Sequence, residues 1–291
     1  MKTNMFYVIL FLNVLLTVTC SASSLFELCP HCIDFYEEDD SGGWIINTSV
    51  DYQSANLESD DRYLSGAANN EDWRAIHDVE GDLYGFSISV RPPVWGKRVA
   101  LDLSHLTGDL KGDFNTREIS PTPEGPYAGT VKYDREDWEF GADIFILNAV
   151  YTRLQYSTFE MDGDWVYTGG GANEPQKYDF EAYTIGIGWR QDYYLLPEQL
   201  PEKKFGIFLN VFGGLSFLNY EHTEKSGGAS VDTDDVGYEF DADIMGTYQI
   251  GNNDDSFVYA GLGYTYSDSS DSRLKLTQKG PTVKLGVRVA F

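Results

Sequence analysis

Two histidines stand beside carboxylates in this sequence, and such a pairing can do acid–base chemistry. His77 precedes Asp78, and His222 follows Glu221. A histidine within hydrogen-bond reach of a carboxylate can activate a water molecule. Direct neighbours in a strand point to opposite faces, so His77, Asp78 and His222 are only weak catalytic candidates, and solvated loop positions are the simpler interpretation. We find no nucleophile motif and no metal-ligand spacing in the chain.

A second chemical motif lies near the N-terminus. Cys29, Pro30, His31 and Cys32 match the active-site tetrapeptide of disulfide-forming thioredoxin-like enzymes. That chemistry needs a βαβ unit with the first cysteine at a helix N-terminus, and the surrounding sequence does not predict one. The simpler alternatives are a local Cys29–Cys32 disulfide or a pair of thiols in an exported segment.

The composition limits the class of protein. The chain has 291 residues, 21 Lys and Arg against 46 Asp and Glu, and a formal net charge of -25, which argues against a nucleic-acid partner. With 20 Tyr, 17 Phe, 6 Trp and 29 Gly it is too aromatic for a disordered acidic protein. This composition favours strands over helices.

The first residues predict export. Lys2 is followed by an apolar run from Met5 to Val18 and then by small residues, so residues 1–22 form a signal peptide with cleavage between Cys20 and Ser24. Lipidation of Cys20 is a weaker alternative. Residues 23–43 form a short leader expected in the periplasm. No later apolar run approaches the ~20 residues of a membrane helix, so a membrane-spanning form would have to be a closed barrel.

The last nine residues, VKLGVRVAF, alternate strictly between apolar and other residues. Val283, Leu285, Val287, Val289 and Phe291 share one strand face. This ending resembles the closing strand of Gram-negative outer-membrane β-barrels, of the general porin or OmpA-like class and no specific family. The resemblance implies that Val287, Val289 and Phe291 are an assembly signal for the barrel assembly machinery.

Residues 44–291 show ten alternating segments, which predict a single all-β, antiparallel, up-and-down transmembrane barrel of about ten strands, within a range of 8–12. Short turns are expected on the periplasmic side and long acidic loops outside the cell, the first from about Glu58 to His77. Two aromatic belts are expected at the membrane interfaces, the outer one from Trp138, Tyr156, Phe159, Tyr178, Phe217, Tyr220 and Tyr266.

If the apolar face meets lipid, charged residues line the lumen. They are Asp51, Arg91, Asp102, Glu139, Asp143, Arg153, Arg190, Glu239, Asp241, Asp243, Lys284 and Arg288. Arg153 could pair with Asp143 or Glu139, and Lys284 or Arg288 with Asp51. A packed, salt-bridged interior is favoured over a narrow, weakly cation-preferring pore, although glycines on inner positions predict unfilled space.

The sequence therefore predicts a bacterial outer-membrane barrel, exported through the Sec pathway, with a non-enzymatic structural or surface-interaction role. A narrow cation-preferring channel and a rim hydrolase are the alternatives, the latter because outer-membrane proteases of ten strands resemble this chain in strand number. Lipid-modifying barrels use Ser and His on the outer wall, but Ser104 and His105 are merely adjacent. Expected partners are outer-membrane lipid, lipopolysaccharide and small solutes or cations. No cofactor and no nucleic acid are expected.

Overall fold

The computed structural model describes residues 43–64, 72–93, 98–120, 125–147, 149–169, 173–194, 205–224, 230–250, 256–270 and 274–291. The predicted signal peptide, the leader up to residue 42, and Cys29 and Cys32 lie outside this part of the chain. Within the described residues, no helix is long and apolar enough to cross a membrane.

Ten antiparallel strands form one closed barrel in which each strand pairs with its neighbours in sequence. They are β1 Ile45–Leu64, β2 Asp72–Arg91, β3 Val99–Ser120, β4 Tyr127–Phe145, β5 Val150–Tyr167, β6 Glu174–Tyr194, β7 Phe205–Glu224, β8 Ser230–Gln249, β9 Phe257–Ser270 and β10 Leu274–Ala290. The barrel closes where β1 pairs with β10, from Ile45 opposite Ala290 to Asp61 opposite Leu274. The predicted fold class and strand number are confirmed.

An outward-facing apolar band surrounds the part of the barrel where β1 begins and β10 ends, which we call the lower half. Its exposed side chains include Val50, Phe86, Leu101, Phe140, Ile144, Leu154, Ile185, Phe240, Ile244, Leu262 and Leu285. β-Branched and aromatic residues suit strands, and their period of two puts them all on the outer face. The polar partners in that alternation face the lumen.

In the upper half of the barrel, beyond the apolar band, the polarity of the two faces is reversed, so the inner face is apolar and the outer face is polar. On β4, the inward Val131 and Tyr133 are buried while the outward Lys132 and Asp134 are exposed. The register of β4 against β3 and β5 continues without a break through this change. Each strand therefore extends beyond the apolar band as a wall that is polar outside and apolar inside.

This extension corrects the predicted loop boundaries. β1 runs to Leu64 and β2 begins at Asp72, so most of the stretch from Glu58 to His77 is strand. The same holds for the predicted loops that follow β3, β5 and β7. Apolar residues at every second position on the outer face predict a strand in lipid. This pattern fails in the upper half, where the apolar residues lie on the inner face.

The inward apolar residues of the upper half form one core, which we call the upper core. Sixteen buried residues make it up: Ala55, Leu57, Ala75, Val79, Leu83, Leu110, Phe114, Val131, Tyr133, Met161, Trp165, Tyr178, Phe180, Leu218, Tyr220 and Leu276. They come from eight of the ten strands, all except β8 and β9, so the upper half is packed like the interior of a water-soluble protein.

Candidate functional site

The lower half of the barrel encloses a cavity of about 340 Å³, which we call the lower cavity. Of the twelve predicted lumen residues, all except Asp143 line it: Asp51, Arg91, Asp102, Glu139, Arg153, Arg190, Glu239, Asp241, Asp243, Lys284 and Arg288. Asp143 points inward as well but is fully buried behind two arginines. The period-two register was sufficient to place these side chains on the inner face.

Asp143 is the centre of an ion-pair network at the wall of the lower cavity. Arg153 donates from Nε and Nη2 to its two carboxylate oxygens, at 2.7 and 3.0 Å. Arg190 adds a bond from Nη2 at 3.0 Å, and Arg153 also lies 3.9 Å from Asp102. The guanidinium groups of both arginines lie near the ring of Tyr151, at 5.6 and 4.9 Å. Two arginines thus share one buried carboxylate.

Lys284 takes a different partner from the one expected. It stands opposite Asp51 in the β1–β10 register, but its Nζ lies 3.1 Å from the carboxylate of Asp243 on β8. Arg288 lies over the ring of Phe257 at 5.2 Å. Lys284 thus forms its ion pair past β9, from β10 to β8, and not with its register neighbour Asp51.

Three more carboxylates, those of Glu139, Glu239 and Asp241, face the same cavity. Glu239 accepts hydrogen bonds from Gln155 at 3.2 Å and Thr184 at 3.1 Å. In the described part of the chain, no Lys or Arg nitrogen forms an ion pair with any of the three carboxylates. β4 and β8 therefore both carry a carboxylate in an ion pair, Asp143 and Asp243, beside these three, for which the described residues supply none.

The inner glycines do not leave the open space that was expected. A Cβ added to Gly188 would lie 2.1 Å from Cζ of Tyr151, and one on Gly286 would lie 2.4 Å from Cζ of Tyr259. Large neighbouring rings therefore cover these glycines. The prediction of unfilled space at these positions is wrong, because a small inner residue on one strand admits a large one from the next.

The upper core holds the two histidines that the sequence singled out. His77 is 2% exposed and lies between two tyrosines, with Tyr133 Oη 3.0 Å from Nδ1 and Tyr178 Oη 3.3 Å from Nε2. Trp165 Nε1 donates to Tyr133 Oη at 2.8 Å, so one hydroxyl oxygen links the tryptophan to His77. Burial lowers the pKa of His77 to about 3, so the ring is neutral at ordinary pH.

His222 belongs to the same cluster. Its ring stacks on Tyr178 with centroids 4.3 Å apart, and its Nε2 lies 2.8 Å from Oε1 of Gln176. Burial, with a smaller effect from His77, lowers the pKa of His222 to about 3. Two histidines from β2 and β7 thus meet the same tyrosine, although neither lies in the loop positions expected for them.

Asp61 is the buried acid of the upper core. Tyr220 Oη donates to its Oδ2 at 2.7 Å, linking β7 to β1 across the interior. Burial raises the pKa of Asp61 to about 7, against the opposing effect of the Tyr220 hydrogen bond. The carboxyl group is therefore partly protonated near neutral pH.

Arg135 lies where the upper core meets the lower cavity. It is 2% exposed, donates to Asp137 with Nε and Nη2 at 2.7 Å each, and reaches Gln278 on β10 at 2.9 Å. Its guanidinium lies 4.3 Å from the ring centroid of Phe159. A salt-bridged side chain thus crosses the barrel from β4 to β10 at the level where the two compartments meet.

The remaining predicted candidates, Asp78, Ser104 and His105, lie apart from the cluster of His77 and His222. Asp78 points outward and is exposed, so it cannot act with its neighbour His77. Ser104 points into the lower cavity, while His105 lies on the outer wall, 4.3 Å from the ring of Trp138 and 3.3 Å from Glu136. A catalytic pair built from direct sequence neighbours is therefore not formed at these positions.

The outer aromatic belt needs one correction. Phe159, Tyr178 and Tyr220 face inward and pack in or against the upper core, so their assignment to the belt is wrong. Outward rings contact one another in pairs at that level: Tyr52 with Tyr84, Tyr156 with Tyr183, and Tyr238 with Tyr266, and of these Tyr156 and Tyr266 belong to the predicted belt. Residues at alternate positions of a strand face opposite sides, so the odd or even position of each ring in its strand, which we call its parity, distinguishes the inward rings from the outward ones.

Four residues that contact the histidines or lie in the upper half with them were not predicted from the sequence: Asp61, Tyr133, Trp165 and Gln176. A sequence pattern that could have predicted an inward Tyr133 is the alternation of charged outward residues with aromatic inward ones, as in Tyr133 between Lys132 and Asp134. Among the described residues, no group of three His, Cys, Asp or Glu side chains is arranged to hold a metal ion.

Comparison with known proteins yields similarity of fold alone. No protein-family model matches the chain, and no curated protein matches it. The outer membrane protease OmpT from Escherichia coli superimposes with a TM-score of 0.52 at 11% identity, over 85% of this chain and 97% of that one. OprG from Pseudomonas aeruginosa gives a TM-score of 0.33 at 9% identity, over 89% and 99%, and Ail from Yersinia pestis gives 0.30 at 8%, over 84% and 98%. The chain therefore shares its barrel fold with structures of Gram-negative outer-membrane proteins.

Proposed function

We propose that this protein is a Gram-negative outer-membrane barrel that is closed to solutes and that presents a rigid acidic wall outside the cell. Its role is then structural or surface-interacting and not enzymatic. The observation that carries this proposal is the upper core, whose sixteen buried residues pack the half of the barrel beyond the apolar band.

The placement in a membrane rests on the exposed apolar band. A water-soluble protein seldom exposes so large a continuous apolar surface, and a closed barrel leaves no unpaired strand edge in lipid. The lower end, with Phe291, then faces the periplasm, and the upper half projects from the cell. Lipid contacts the band, and lipopolysaccharide would meet the wall just above it.

The outer face of the upper half, which lies outside the membrane in this proposal, is acidic and carries several ion pairs. Lys132 bridges Asp109 and Asp134 at 2.9 and 3.3 Å, and Lys177 bridges Glu160 and Asp179 at 3.3 and 3.1 Å. A charged and polar outer face of this kind keeps the extended strands soluble. It is a surface that a partner outside the cell would meet.

The hydrolase alternative would use His77 and His222, which do share one cluster. Both are buried and neutral, and a group whose pKa is about 3 is a weak general base. We therefore favour a structural role for this cluster. Peptidase or esterase activity that is lost in His77→Phe and His222→Phe would support the hydrolase instead.

Surface labelling in intact cells tests the proposed placement. After replacement of Cys20, Cys29 and Cys32 by serine, we expect a membrane-impermeant maleimide to label Asp113→Cys, which faces outward on the upper wall. The matched control is Leu262→Cys, which is exposed on the outer face of the apolar band and should stay unlabelled. The reverse pattern would contradict the proposed orientation.

A further inference from the structure

Two arginines flank the point where the chain enters the barrel. Ile45, the first residue of β1, lies opposite Arg91 of β2, and Asn47 lies opposite Arg288 of β10. Both arginines line the lower cavity, and both stand close to the lower ends of their strands. The strands on either side of β1 therefore each place a guanidinium group at this end of the lumen, which we call the lower entrance.

Aromatic rings lie beside both guanidinium groups. Arg91 lies 4.2 Å from the ring centroid of Phe145, and Arg288 lies 5.2 Å from that of Phe257. A guanidinium over a ring still directs its N–H donors outward in its own plane, where they match the two oxygens of a carboxylate. The lower entrance thus suits a partner that carries carboxylates.

The charge at the lower entrance is positive. Asp143 is shared by Arg153 and Arg190, so it leaves no excess of negative charge beside them. Among the side chains that the structure describes, Arg91 and Arg288 add two positive charges nearer to the entrance. An acidic partner would therefore be attracted to this end of the barrel.

The predicted leader that precedes β1 is acidic. Residues 23–43 contain no Lys or Arg, and they contain six acids, Glu27, Asp34, Glu37, Glu38, Asp39 and Asp40. The last four are consecutive, and we call residues 37–40 the acidic run. Its charge is opposite to that of the lower entrance.

The covalent connection keeps the acidic run close to the two arginines. The backbone N–H of Phe291 donates to the carbonyl of Trp44 at 3.0 Å, which fixes the chain at the lower rim. Asp40 precedes Trp44 by four positions, and a chain spans at most about 3.6 Å per residue, so Asp40 lies within about 14 Å of that point. A tether this short gives an effective concentration on the order of millimolar, at which weak ion pairs are populated.

We propose that the acidic run docks on Arg91 and Arg288 and occupies the lower entrance of the cavity. Its carboxylates accept N–H bonds from the two guanidinium groups, and Gly42 and Gly43 allow the chain to turn towards the lumen. A small anion that enters from this end then has to compete with the chain's own carboxylates. This inference concerns the lower end of the barrel and does not depend on the proposed surface role.

The mobility of a spin label next to the acidic run tests the docking. A nitroxide is attached to Tyr36→Cys in the mature chain, with the other cysteines replaced by serine and the protein refolded in non-ionic detergent. The label should be immobilised at low salt and released at about 1 M salt, where the Debye length is about 3 Å. Arg91→Gln/Arg288→Gln should lower the ratio of immobile to mobile label about threefold or more, as expected for the loss of two ion pairs.

The matched control is Arg62→Gln/Arg117→Gln, which makes the same charge change at exposed positions of the upper half and should leave the ratio unchanged. A charge swap tests direct pairing. Arg91→Glu/Arg288→Glu should release the label, and lysine at all four positions of the acidic run should then immobilise it again. A label that stays mobile after the swap would contradict pairing between these groups.

Two further results would overturn the proposal: a label that is mobile in wild type at low salt, and an equal loss of immobile label in the control. If the arginine variants fail to refold, as judged by loss of the heat-modifiable shift on a gel, Glu37→Gln/Glu38→Gln/Asp39→Asn/Asp40→Asn decides. That variant leaves the barrel unchanged and should release the label, and continued immobilisation would reject the acidic run as the docked segment.

Discussion

The Tyr133 hydroxyl is hydrogen-bonded to Nδ1 of His77 at 3.0 Å, and the two residues lie on β4 and β2, which are separated by β3. The link from Tyr220 to Asp61 joins strands that lie farther apart, β7 and β1, and crosses the interior of the barrel. The upper core is thus held by hydrogen bonds between strands that are not paired with each other, as well as by apolar packing. Such directional bonds favour a single arrangement of its side chains.

Removing the Tyr133 hydroxyl should loosen the upper core. Tyr133→Phe leaves His77 Nδ1 and Trp165 Nε1 without their shared partner, at an expected cost of about 1–3 kcal/mol in the free energy of unfolding. Urea unfolding in lipid vesicles measures the change. Tyr84→Phe is the matched control, because its ring is exposed on the outer wall and its loss should be near zero. Equal effects at the two positions would contradict this account of the upper core.

The buried histidines should make stability depend on pH. Burial lowers the pKa of His77 to about 3, whereas an unfolded histidine titrates near its ordinary value of 6.5. Between these values only the unfolded chain binds the proton, so the contribution of His77 is complete above pH 6.5 and is lost as the pH falls towards 3. His77→Gln should lower the pH slope of the unfolding free energy by about one proton, or about 1.4 kcal/mol per pH unit.

Asp61 provides a comparison of opposite sign. Its pKa is raised from 3.8 to about 7, so its contribution is present below pH 3.8 and is lost as the pH rises through 7. Asp61→Asn should therefore steepen the rise in stability between pH 4 and 6.5, while His77→Gln makes it shallower. A wild-type slope in both variants would show that neither group is buried as described.

The carboxylate of Asp143 should be the most costly charge in the lumen to remove. Asp143→Asn leaves Arg153 and Arg190 without their shared partner, and breaking a buried pair costs about 3–5 kcal/mol. The control Lys132→Met breaks the exposed bridges to Asp109 and Asp134, for which we expect about 0–1 kcal/mol. Unfolding in lipid vesicles compares the two, and a larger loss in Lys132→Met would refute the assignment.

Gly188 should not tolerate even one methyl group. The Cβ of Gly188→Ala would meet the Tyr151 ring at 2.1 Å, and overpacking of this kind costs about 1–3 kcal/mol. Gly246→Ala, whose nearest contact would be 3.8 Å away, should change stability by no more than about 0.5 kcal/mol. The refolded fraction at increasing urea concentration distinguishes them. Equal tolerance would mean that the Tyr151 ring does not cover Gly188.

The barrel could be predicted from sequence because lipid imposes a strict rule on one face. Val283, Leu285, Val287 and Val289 alternate with Lys284 and Arg288, and the same parity on each strand placed Asp143 and Arg153 inside, where they pair. Parity gives the face of a residue but not its partner. Lys284 forms its ion pair with Asp243 and not with its register neighbour Asp51, because the curvature of the barrel brings side chains of non-adjacent strands close together in the interior.

The upper core could not be predicted in the same way. Above the apolar band the outer face meets water and the inner face is apolar, so the pattern inverts while the strand continues. A search for apolar residues on the outer face therefore predicts Tyr178 and Tyr220 in an outer belt and His77 and His222 in loops. Following the parity of β2 and β7 outward past Leu83 and Leu218 would have placed both histidines inside.

Single-channel conductance of the refolded protein in a planar bilayer tests the central claim that the upper core closes the barrel. Wild type should insert, as shown by its heat-modifiable shift, and give no discrete current steps. Trp165→Ala/Tyr178→Ala, which removes two large rings of the upper core, should give steps. Steps in wild type whose cation preference falls in Asp241→Asn would contradict the closed barrel and would identify a cation-preferring pore.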